Sequence, residues 1–415
     1  MTSITFWGVT ASPYQLKMQS IADFAELPWR RLPEQGSLFE TLRFMRRLKK
    51  AQAAEAIRRF PQRVAGMDEY PAVPFYTLDG NQFCYDSSGL ALHLDEMGHT
   101  TQALVPQSAG ERFLCRLIDE AFDEFGLYMV HHNRWVTSAS TNVMGEMSAR
   151  EMFGWLPAPL RRRVGRNLAR RQSQRCPYLF SIAPQDFDAG VDSDITPPAL
   201  AGFPPTHELL DQAWRRYLAA MEQQLSEHAF LLGERFTLAD ASAYGQLSMN
   251  LVDGRAEQLL QELAPRTHRW LHAIRDGEHR GSRGELQIAS SLSALIDCIC
   301  DTFIPLMQQN AAAWEPYNEN GQSRFNEAAF DRGEALYDGE LLGKPFRSVA
   351  KSFQVVVWQE LVTNWNTLAS AEQSELVDRY PALQRLAGEP AGLTLTDLRP
   401  QQSPLSSYPG QSLVQ

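Results

Sequence analysis

The stretch from Ile4 to Ala22, which reads ITFWGVTASPYQLKMQSIA, constrains the fold of this chain more than any other segment. It begins with a short run of β-branched and aromatic residues, which is typical of a buried strand. Small and polar residues follow at once, and Ser12-Pro13 then offers an N-cap and a first helical residue. The pattern therefore predicts a strand, a tight turn and a helix.

The hydroxyl of Ser12 is a candidate functional group, because it lies at the N-terminus of the predicted helix. The free N–H groups and the positive end of the helix dipole favour a bound thiolate, phosphate or carboxylate there. The alternative is that Ser12 only caps the helix, which is the commoner use of a serine at such a position.

Length and charge narrow the possible functions. The chain has 415 residues, 44% of them hydrophobic and 21% charged, which indicates an ordinary globular protein with two or more domains. A net charge of -10 argues against a nucleic-acid binder. One basic run comprises Arg161, Arg162, Arg163, Arg166, Arg170, Arg171 and Arg175. We interpret it as a solvated helix face paired with carboxylates rather than as an anion site.

Cysteine usage and hydropathy indicate a cytoplasmic protein. The five cysteines are scattered and form no CxxC pair, which fits a reducing compartment and core thiols. The N-terminus lacks the pattern of a signal peptide. The apolar stretch from Leu292 to Met307 is interrupted by Asp297 and Asp301, which favours a buried or amphipathic helix over a membrane span.

Further strands and helices follow the first helix. Leu27–Leu32 is predicted to form a second strand, parallel to the first because a helix connects them. The segment from Phe39 to Arg63 is predicted to contain one or two helices. Tyr70–Leu78, the turn Asp79-Gly80 and Gln82–Tyr85 predict a β-hairpin, and Asp86-Ser87-Ser88 then caps a helix from Gly89 to Met97.

The order β-α-β, α, β-β-α is that of a thioredoxin-like domain. Ser12-Pro13-Tyr14, Val73-Pro74 and Asp86-Ser87-Ser88, in this order, resemble the N-terminal domain of the glutathione transferase family. The segment that precedes Val73 is longer than in the family pattern. The resemblance implies an α+β thioredoxin-like domain with a mixed four-stranded sheet, followed by a larger all-α C-terminal domain.

The remainder of the chain is predicted to be helical from about Val105. Glu111–Trp135 is a long amphipathic segment, His207–His228 is a further helix, and Ala183–Pro205 is an irregular loop. The segment Phe230–Ala241 resembles the family's second-domain signature. Within that segment, Thr237 and Asp240 have the spacing of a capping box.

The family pattern divides the chain into four parts. We expect a thioredoxin-like glutathione-binding domain at residues 1–100 and an all-helical C-terminal domain at 105–285. Residues 286–398 resemble the helical extension of some longer bacterial members, and 399–415 are predicted to be a flexible tail.

The resemblance also implies a glutathione site. The residue matching Ser12 donates a hydrogen bond to the glutathione sulfur, and Tyr14 is its rival for that role. Pro74 matches the family's cis-proline, which presents the backbone of Val73 to the peptide. Asp86 and Ser87 match the pair that takes the γ-glutamyl group; the alternative is an ordinary helix cap.

A weaker prediction places an electrophile pocket at Tyr128, His131 and Trp135, on the first long helix of the second domain. Such residues are more often simply core. No metal site is predicted, because the adjacent His131 and His132 point about 100° apart on a helix, and Cys298-x-Cys300 has no second pair of ligands.

Together these features predict a cytoplasmic glutathione S-transferase, with glutathione as co-substrate and a hydrophobic electrophile as second substrate. A role in detoxification and a homodimer follow from the family alone, and neither nucleic acid nor membrane is an expected partner. The alternative is a non-catalytic binding or interaction module that keeps the same fold. The identity of the electrophile is not readable from the sequence, because fold-level analogy does not transfer it.

Overall fold

The computed structural model describes residues 2–54, 56–59, 74–80 and 82–389. The predicted N-terminal strand, turn and helix are present as β1 (Ile4–Trp7) and α1 (Pro13–Phe24). The first domain continues with β2 (Trp29–Leu32), α2 (Leu38–Ala53), β3 (Arg58–Arg59), β4 (Phe75–Leu78), β5 (Gln82–Tyr85) and α3 (Ser87–Glu96).

Within the described residues, five strands form one mixed sheet in the order β2-β1-β4-β5-β3. β1 is parallel to β2 and antiparallel to β4, and β5 is antiparallel to β4. The predicted fold class is confirmed, but β3 corrects the prediction of helix throughout Phe39–Arg63. Helix α2 ends at Ala53, and Arg58–Arg59 instead form the edge strand β3, which pairs in parallel with β5. Because β3 consists of two polar residues that pair through the backbone, the sequence has no hydrophobic pattern that predicts this strand.

The two faces of the sheet bury alternate side chains. Ile4 and Phe6 of β1 lie in the large core that includes α1 and α3. Trp7 points to the other face, where it packs on Phe44 of α2 with ring centroids 5.8 Å apart. The period of two along β1 therefore fixes which helices cover each face.

The predicted Asp-Gly hairpin joins β4 and β5. Asp79 has φ 52° and Gly80 has φ 71°, so both central residues adopt the left-handed conformation that the tightest hairpin turns require. The predicted strand begins at Phe75 in the structure, and its residues 70–73 lie outside the described residues.

The second domain opens with one long helical segment. It consists of α4 (Ala109–Ala121), a π-helical turn (Phe122–Gly126), α5 (Leu127–His132) and a second π-helical turn (Asn133–Thr137). The long helix predicted at Glu111–Trp135 is confirmed, whereas its two π turns were not foreseen.

Further helices complete the second domain: α6 (Met144–Phe153), α7 (Ala158–Gln174), α8 (His207–Gln224), α9 (Leu238–Leu247), α10 (Gly254–Leu263) and α11 (Pro265–Arg275). Helix α9 is buried along its whole length and crosses α1 at Gly245. A Cβ at Gly245 would lie 2.7 Å from Cβ of Lys17 and 2.7 Å from the carbonyl oxygen of Pro13. The two domains therefore meet through a close α1–α9 contact that requires glycine.

The predicted extension is helical and contains a hairpin. Its elements are α12 (Ser293–Asp301), α13 (Phe303–Glu319), α14 (Glu327–Asp331), β6 (Leu336–Leu341), β7 (Lys344–Val349), α15 (Ser352–Asn366) and α16 (Ser370–Arg379). Phe113 of α4 packs on Trp365 of α15 at 5.1 Å, so the extension shares the core of the second domain. The predicted tail, 399–415, lies outside the described residues.

One helical stretch, Ser290–Glu319, is long and apolar enough to cross a membrane by length and composition alone. Its mean hydropathy is 1.4, and 67% of the window is buried inside the fold. Thr302 breaks the stretch into α12 and α13. A buried, interrupted helix of this kind is weak evidence for a membrane span.

Candidate functional site

The sheet brings most of the predicted glutathione-site residues to one edge. Strands β1 and β5 both run antiparallel to β4, so they end where β4 begins. Continued by one pair from Trp7↔Phe75 and by two pairs from Tyr76↔Cys84, the registers place Gly8, Pro74 and Asp86 side by side. Helices α1 and α3 both begin at this edge. Val73 lies outside the described residues, and with it the peptide bond that precedes Pro74.

Ser12 occupies the N-cap position of α1, with φ -94° and ψ 120°. Its Oγ accepts a hydrogen bond of 3.4 Å from the N–H of Gln15, and the residue is only 9% exposed. Accepting this bond leaves the hydroxyl proton unused, and Oγ donates to no described residue. Ser12 can therefore cap the helix and still donate a hydrogen bond to a ligand.

Three side chains hold the turn that precedes Ser12. Glu151 of α6 accepts from the N–H of Thr10 at 2.8 Å, and Arg31 of β2 donates from Nη1 to Oγ1 of Thr10 at 2.6 Å. Arg134, in the second π turn, donates from Nη1 to the carbonyl oxygen of Ala11 at 3.1 Å. The turn is therefore fixed from both domains.

Gln15 packs against the start of the same turn. Its side chain is fully buried, and neither of its polar atoms has a hydrogen-bond partner among the described residues. A Cβ at Gly8 would lie 2.0 Å from Oε1 of Gln15, so a side chain at position 8 would displace this amide. The sequence analysis missed this buried amide, since a glutamine in a helix carries no distinctive pattern.

The geometry of Tyr14 does not favour it as the alternative to Ser12. Its hydroxyl donates to the carbonyl oxygen of Asp123 at 2.9 Å. Asp123 lies in the first π turn, where the irregular helical geometry changes the partners of the carbonyl groups. Because the Tyr14 proton is used in this bond, the geometry favours Ser12 as donor to a ligand.

Asp86 and Ser87 form the start of α3. Asp86 caps the helix through Oδ1, which accepts from the N–H of Gly89 at 2.8 Å. Its φ of 94° is strained for a residue with a side chain, a condition that recurs at functional sites. Ser87 is 8% exposed, and its hydroxyl bonds to no other described residue. A free hydroxyl at a helix N-terminus suits an anionic group.

A buried lysine links the first turns of these two helices to the second domain. Nζ of Lys17 donates to Ser88 at 2.7 Å, to Asp119 at 2.6 Å and to Asp123 at 2.6 Å. Burial opposes the charge of Lys17, but the two carboxylates raise its pKa well above the ordinary value. The same lysine and Arg116 lower the pKa of Asp119 against the effect of burial.

The buried carboxylate of Asp123 has fewer stabilising partners than that of Asp119. Its Oδ1 is buried and has no hydrogen-bond partner among the described residues. Burial raises the pKa of Asp123 above its ordinary range, Lys17 opposes that rise, and the neighbouring Asp119 adds to it. The sequence signal for this cluster was Lys17 itself, which shares an apolar helical stripe with Ile21 and Phe24.

The residues of the predicted electrophile pocket lie deep in the second domain. The hydroxyl of Tyr128 accepts from Nζ of Lys351 at 2.7 Å and from Nε2 of Gln354 at 2.9 Å. Burial lowers the pKa of His131 to about 3, and Trp135, 7% exposed, lies 6.2 Å from its ring. A pocket at these residues stays a prediction.

A cleft of about 280 Å³ opens between α1, β2, the 3₁₀ turn Ser248–Val252 and α11. Leu16, Trp29, Tyr244 and Ile274 supply part of its lining, and Thr10 belongs to it as well. Neither Ser12 nor Ser87 lines this cleft. It is therefore separate from the sheet-edge residues, although it shares the turn that precedes α1.

The sequence analysis also considered the cysteines and the basic run on and just after α7. All five cysteines are buried, and burial raises the pKa of Cys84 and of Cys298 to about 11. In the basic run on α7, Arg166 pairs with Asp192 at 2.8 Å, and Arg175 pairs with Glu327 at 2.9 Å. These pairs agree with the interpretation of the run as a solvated, carboxylate-paired face.

Comparison with known proteins finds one family model that matches part of the chain. The sequence model described as "Glutathione S-transferase, C-terminal domain" matches residues 204–273. This range runs from just before α8 to within α11. No curated protein matches the chain.

Several solved structures are similar to part of the chain. A glutathione S-transferase of Ceriporiopsis subvermispora in complex with glutathione has 13% identity and a TM-score of 0.40, over 66% of this chain and 97% of that chain. A glutathione S-transferase of Sinorhizobium meliloti has 14% identity and a TM-score of 0.34, over 70% and 99%. A family member of Pseudomonas fluorescens with two glutathione bound has 13% identity and a TM-score of 0.33, over 66% and 91%. Such low identity transfers neither a substrate nor a residue's role.

Proposed function

We propose that this chain is a member of the glutathione S-transferase family and binds glutathione at the sheet edge where α1 and α3 begin. The match of residues 204–273 to the family's C-terminal-domain model supports this proposal. The glutathione thiol is held there as a thiolate for attack on a hydrophobic electrophile. One observation carries the proposal: Ser12 and Ser87 both present an unused hydroxyl at the N-terminus of a helix, and both helices start at the same edge of the sheet.

The energy that Ser12 must supply is modest. A free thiol with a pKa near 8.5 is only about 3% ionised at pH 7, and a depression of roughly two units raises this to about three quarters. That shift requires about 2.7 kcal/mol of preferential stabilisation. A hydrogen bond from Ser12 to the sulfur anion and the dipole of α1 act in this direction. The thiol proton passes to solvent, the sulfur lone pair forms the bond to the electrophilic carbon, and the leaving group departs with the electron pair of the bond that breaks.

The remaining glutathione groups have matching partners. The γ-glutamyl carboxylate would bind at the Ser87 hydroxyl and the free N–H groups of α3. The cysteinyl backbone would pair with Val73, following the family pattern. No cysteine stands at position 12, which disfavours thiol–disulfide exchange at this turn. A cytoplasmic location and a homodimer are part of the proposal and rest on the family resemblance.

A pH titration of bound glutathione tests the proposal, with thiolate ultraviolet absorbance as the readout. In the wild-type protein we expect the thiol to titrate well below its free value, and Ser12→Ala should move the titration back towards that value. Ser87→Ala should weaken glutathione binding by about 1 to 3 kcal/mol. Ser226→Ala, at an exposed position after α8, is the matched control and should change neither quantity.

The same experiment separates the two candidate functions. Saturable binding with a depressed thiol pKa supports a transferase and justifies a screen of electrophiles. Saturable binding with an unshifted thiol argues for a glutathione-binding module without catalysis. No binding at millimolar glutathione would overturn the proposed site and favour an interaction module.

A further inference from the structure

Two histidines and a glutamate converge between α10 and α11. His268 and His272 lie four residues apart on α11, and therefore on the same face of that helix. Glu257 lies on α10, which is joined to α11 through Ala264. This helix pair brings the three side chains together with no contribution from the first domain.

The distances between the ligand atoms of these three residues match the distances between neighbouring ligands of a bound metal ion. The Nε2 atoms of His268 and His272 are 3.2 Å apart, and Nε2 of His268 is 3.4 Å from Oε1 of Glu257. Two ligands bound to zinc at 2.0–2.1 Å in a tetrahedron lie about 3.3–3.4 Å apart. The three ligand atoms all lie within 4.8 Å of one another.

The two short contacts of His268 Nε2 cannot both be hydrogen bonds of one neutral imidazole nitrogen in a single role. A neutral imidazole nitrogen either donates one proton or accepts one, and a carboxylate only accepts. If His268 donates from Nε2 to Glu257, that nitrogen has no lone pair left for His272. If it donates to His272, the carboxylate loses its donor. A cation at the centre would accept a lone pair from all three groups at once.

We infer that Glu257, His268 and His272 bind one divalent transition-metal ion of the zinc class. Imidazole nitrogen with a carboxylate oxygen is a donor set that suits such ions, and three protein ligands leave a fourth position for water. The side chains of His268 and Glu257 are 15% and 36% exposed, so an ion can enter from solvent. The ion would clamp α10 to α11, and this role does not depend on glutathione.

The earlier prediction of no metal site rested on other residues. It considered the adjacent His131 and His132, which face different directions, and the isolated Cys298-x-Cys300. The four-residue spacing of His268 and His272 was the signal in the sequence, because it places both rings on one helical face. The third ligand comes from a different helix and only the fold reveals it.

Metal titration of the metal-free full-length protein tests the inference, with Zn²⁺ followed by calorimetry and Co²⁺ by visible absorption. We expect one ion per chain, a raised melting temperature, and a cobalt spectrum typical of nitrogen and oxygen ligands. Glu257→Gln, His268→Ala and His272→Ala should each weaken binding by a factor on the order of ten or more. His228→Ala, which removes a histidine 3.3 Å from Glu234, is the matched control and should bind as the wild type does.

Several outcomes would overturn the inference. The first is the absence of saturable metal binding, and the second is equal metal affinity in the wild type and all three ligand variants. The third is a sulfur-to-cobalt charge-transfer band, which would assign the ion to a cysteine. Melting curves of the metal-free variants show whether each is folded, and Glu257→Gln preserves shape at a partly exposed position. Glutathione is left out, because its thiol binds the same ions, so failure here and failure of glutathione binding are read separately.

Discussion

Lys17 lies in an environment that its residue type does not predict. Its ammonium group is 1% exposed and contacts two carboxylates and a serine hydroxyl. The attraction between such buried charges offsets the cost of their desolvation only while all partners are present. Removing Lys17 would leave Asp119 and Asp123 buried beside each other, with only Arg116 as an opposing charge bonded to Asp119.

We therefore expect Lys17→Met to lower the free energy of unfolding by about 3 to 5 kcal/mol, the usual effect of breaking a buried ion pair from one side. Chemical denaturation at pH 7 measures the change. Lys50→Met, at an exposed position of α2, is the control and should stay within about 0.5 kcal/mol of the wild type. A loss below about 1 kcal/mol for Lys17→Met would contradict the assigned role of the cluster.

Local sequence patterns predicted the helix caps but not the cluster of buried charges around Lys17. The N-cap positions of Ser12 and Asp86 follow from neighbouring residues and were predicted correctly. Asp119 lies 102 residues beyond Lys17, and their contact depends on how α4 packs against α1. A local sequence pattern does not report contacts between residues so far apart in the chain. For the same reason, neither the hydrogen bond of Tyr14 to the π turn nor the unpartnered Oδ1 of Asp123 could be predicted.

At the scale of elements, α9 depends on a single carboxylate at its start. Oδ2 of Asp240 accepts from the N–H of Thr237 at 2.9 Å and from its hydroxyl at 2.8 Å, and Oδ1 accepts from the N–H of Leu231 at 2.8 Å. Burial raises the pKa of Asp240 to about 7, against the stabilising effect of these three donors. The carboxylate thus ties the preceding loop to the helix that crosses α1.

Asp240→Ala leaves two buried N–H groups and a hydroxyl without their acceptor. We expect a loss of about 1 to 3 kcal/mol in the free energy of unfolding, with glutathione affinity of the folded protein unchanged. Asp276→Ala, which removes an exposed carboxylate after α11, should have little effect. An unaltered melting temperature for Asp240→Ala would show that the cap is dispensable.

Elements with strong local signals were predicted well. The Asp-Gly hairpin, the long helix that opens the second domain and the Thr237–Asp240 box all have patterns that act over a few residues. The two-residue strand β3 and the two π turns have none, because they depend on a neighbouring strand or on packing within the helical domain. The electrophile pocket and the boundaries at 100, 105 and 285 stay predictions.

For the whole molecule, pH dependence follows from histidines buried in the second domain. Burial, with a smaller contribution from Arg175, lowers the pKa of His131 to about 3, and burial lowers that of His132 well below its ordinary value. Both are neutral in the folded chain but gain a proton in the unfolded chain below about pH 6.5. Each of these two histidines therefore contributes a loss of stability as the pH falls below 6.5, at roughly 1.4 kcal/mol per pH unit. The raised pKa of Asp240 acts in the opposite direction.

His131→Gln should remove one of these contributions. Between pH 6.5 and pH 5 we expect the variant to lose about 2 kcal/mol less stability than the wild type, as measured by chemical denaturation at both pH values. Cys176→Ala, which removes the thiol 3.9 Å from Nδ1 of His131 but keeps the histidine, should lose as much as the wild type. Equal losses in His131→Gln and wild type would contradict a neutral buried His131.

The hydrogen bonds that hold the turn before Ser12 limit which recombination events this chain could tolerate. Thr10 and Ala11 are held by Glu151 and Arg134, and the hydroxyl of Tyr14 is held by the backbone of Asp123. A recombination event that joined residues 1–100 to an unrelated helical partner would keep the strand order but lose all three contacts. An exchange that preserves these contacts must therefore carry the N-terminal sheet together with the helical segment 109–153.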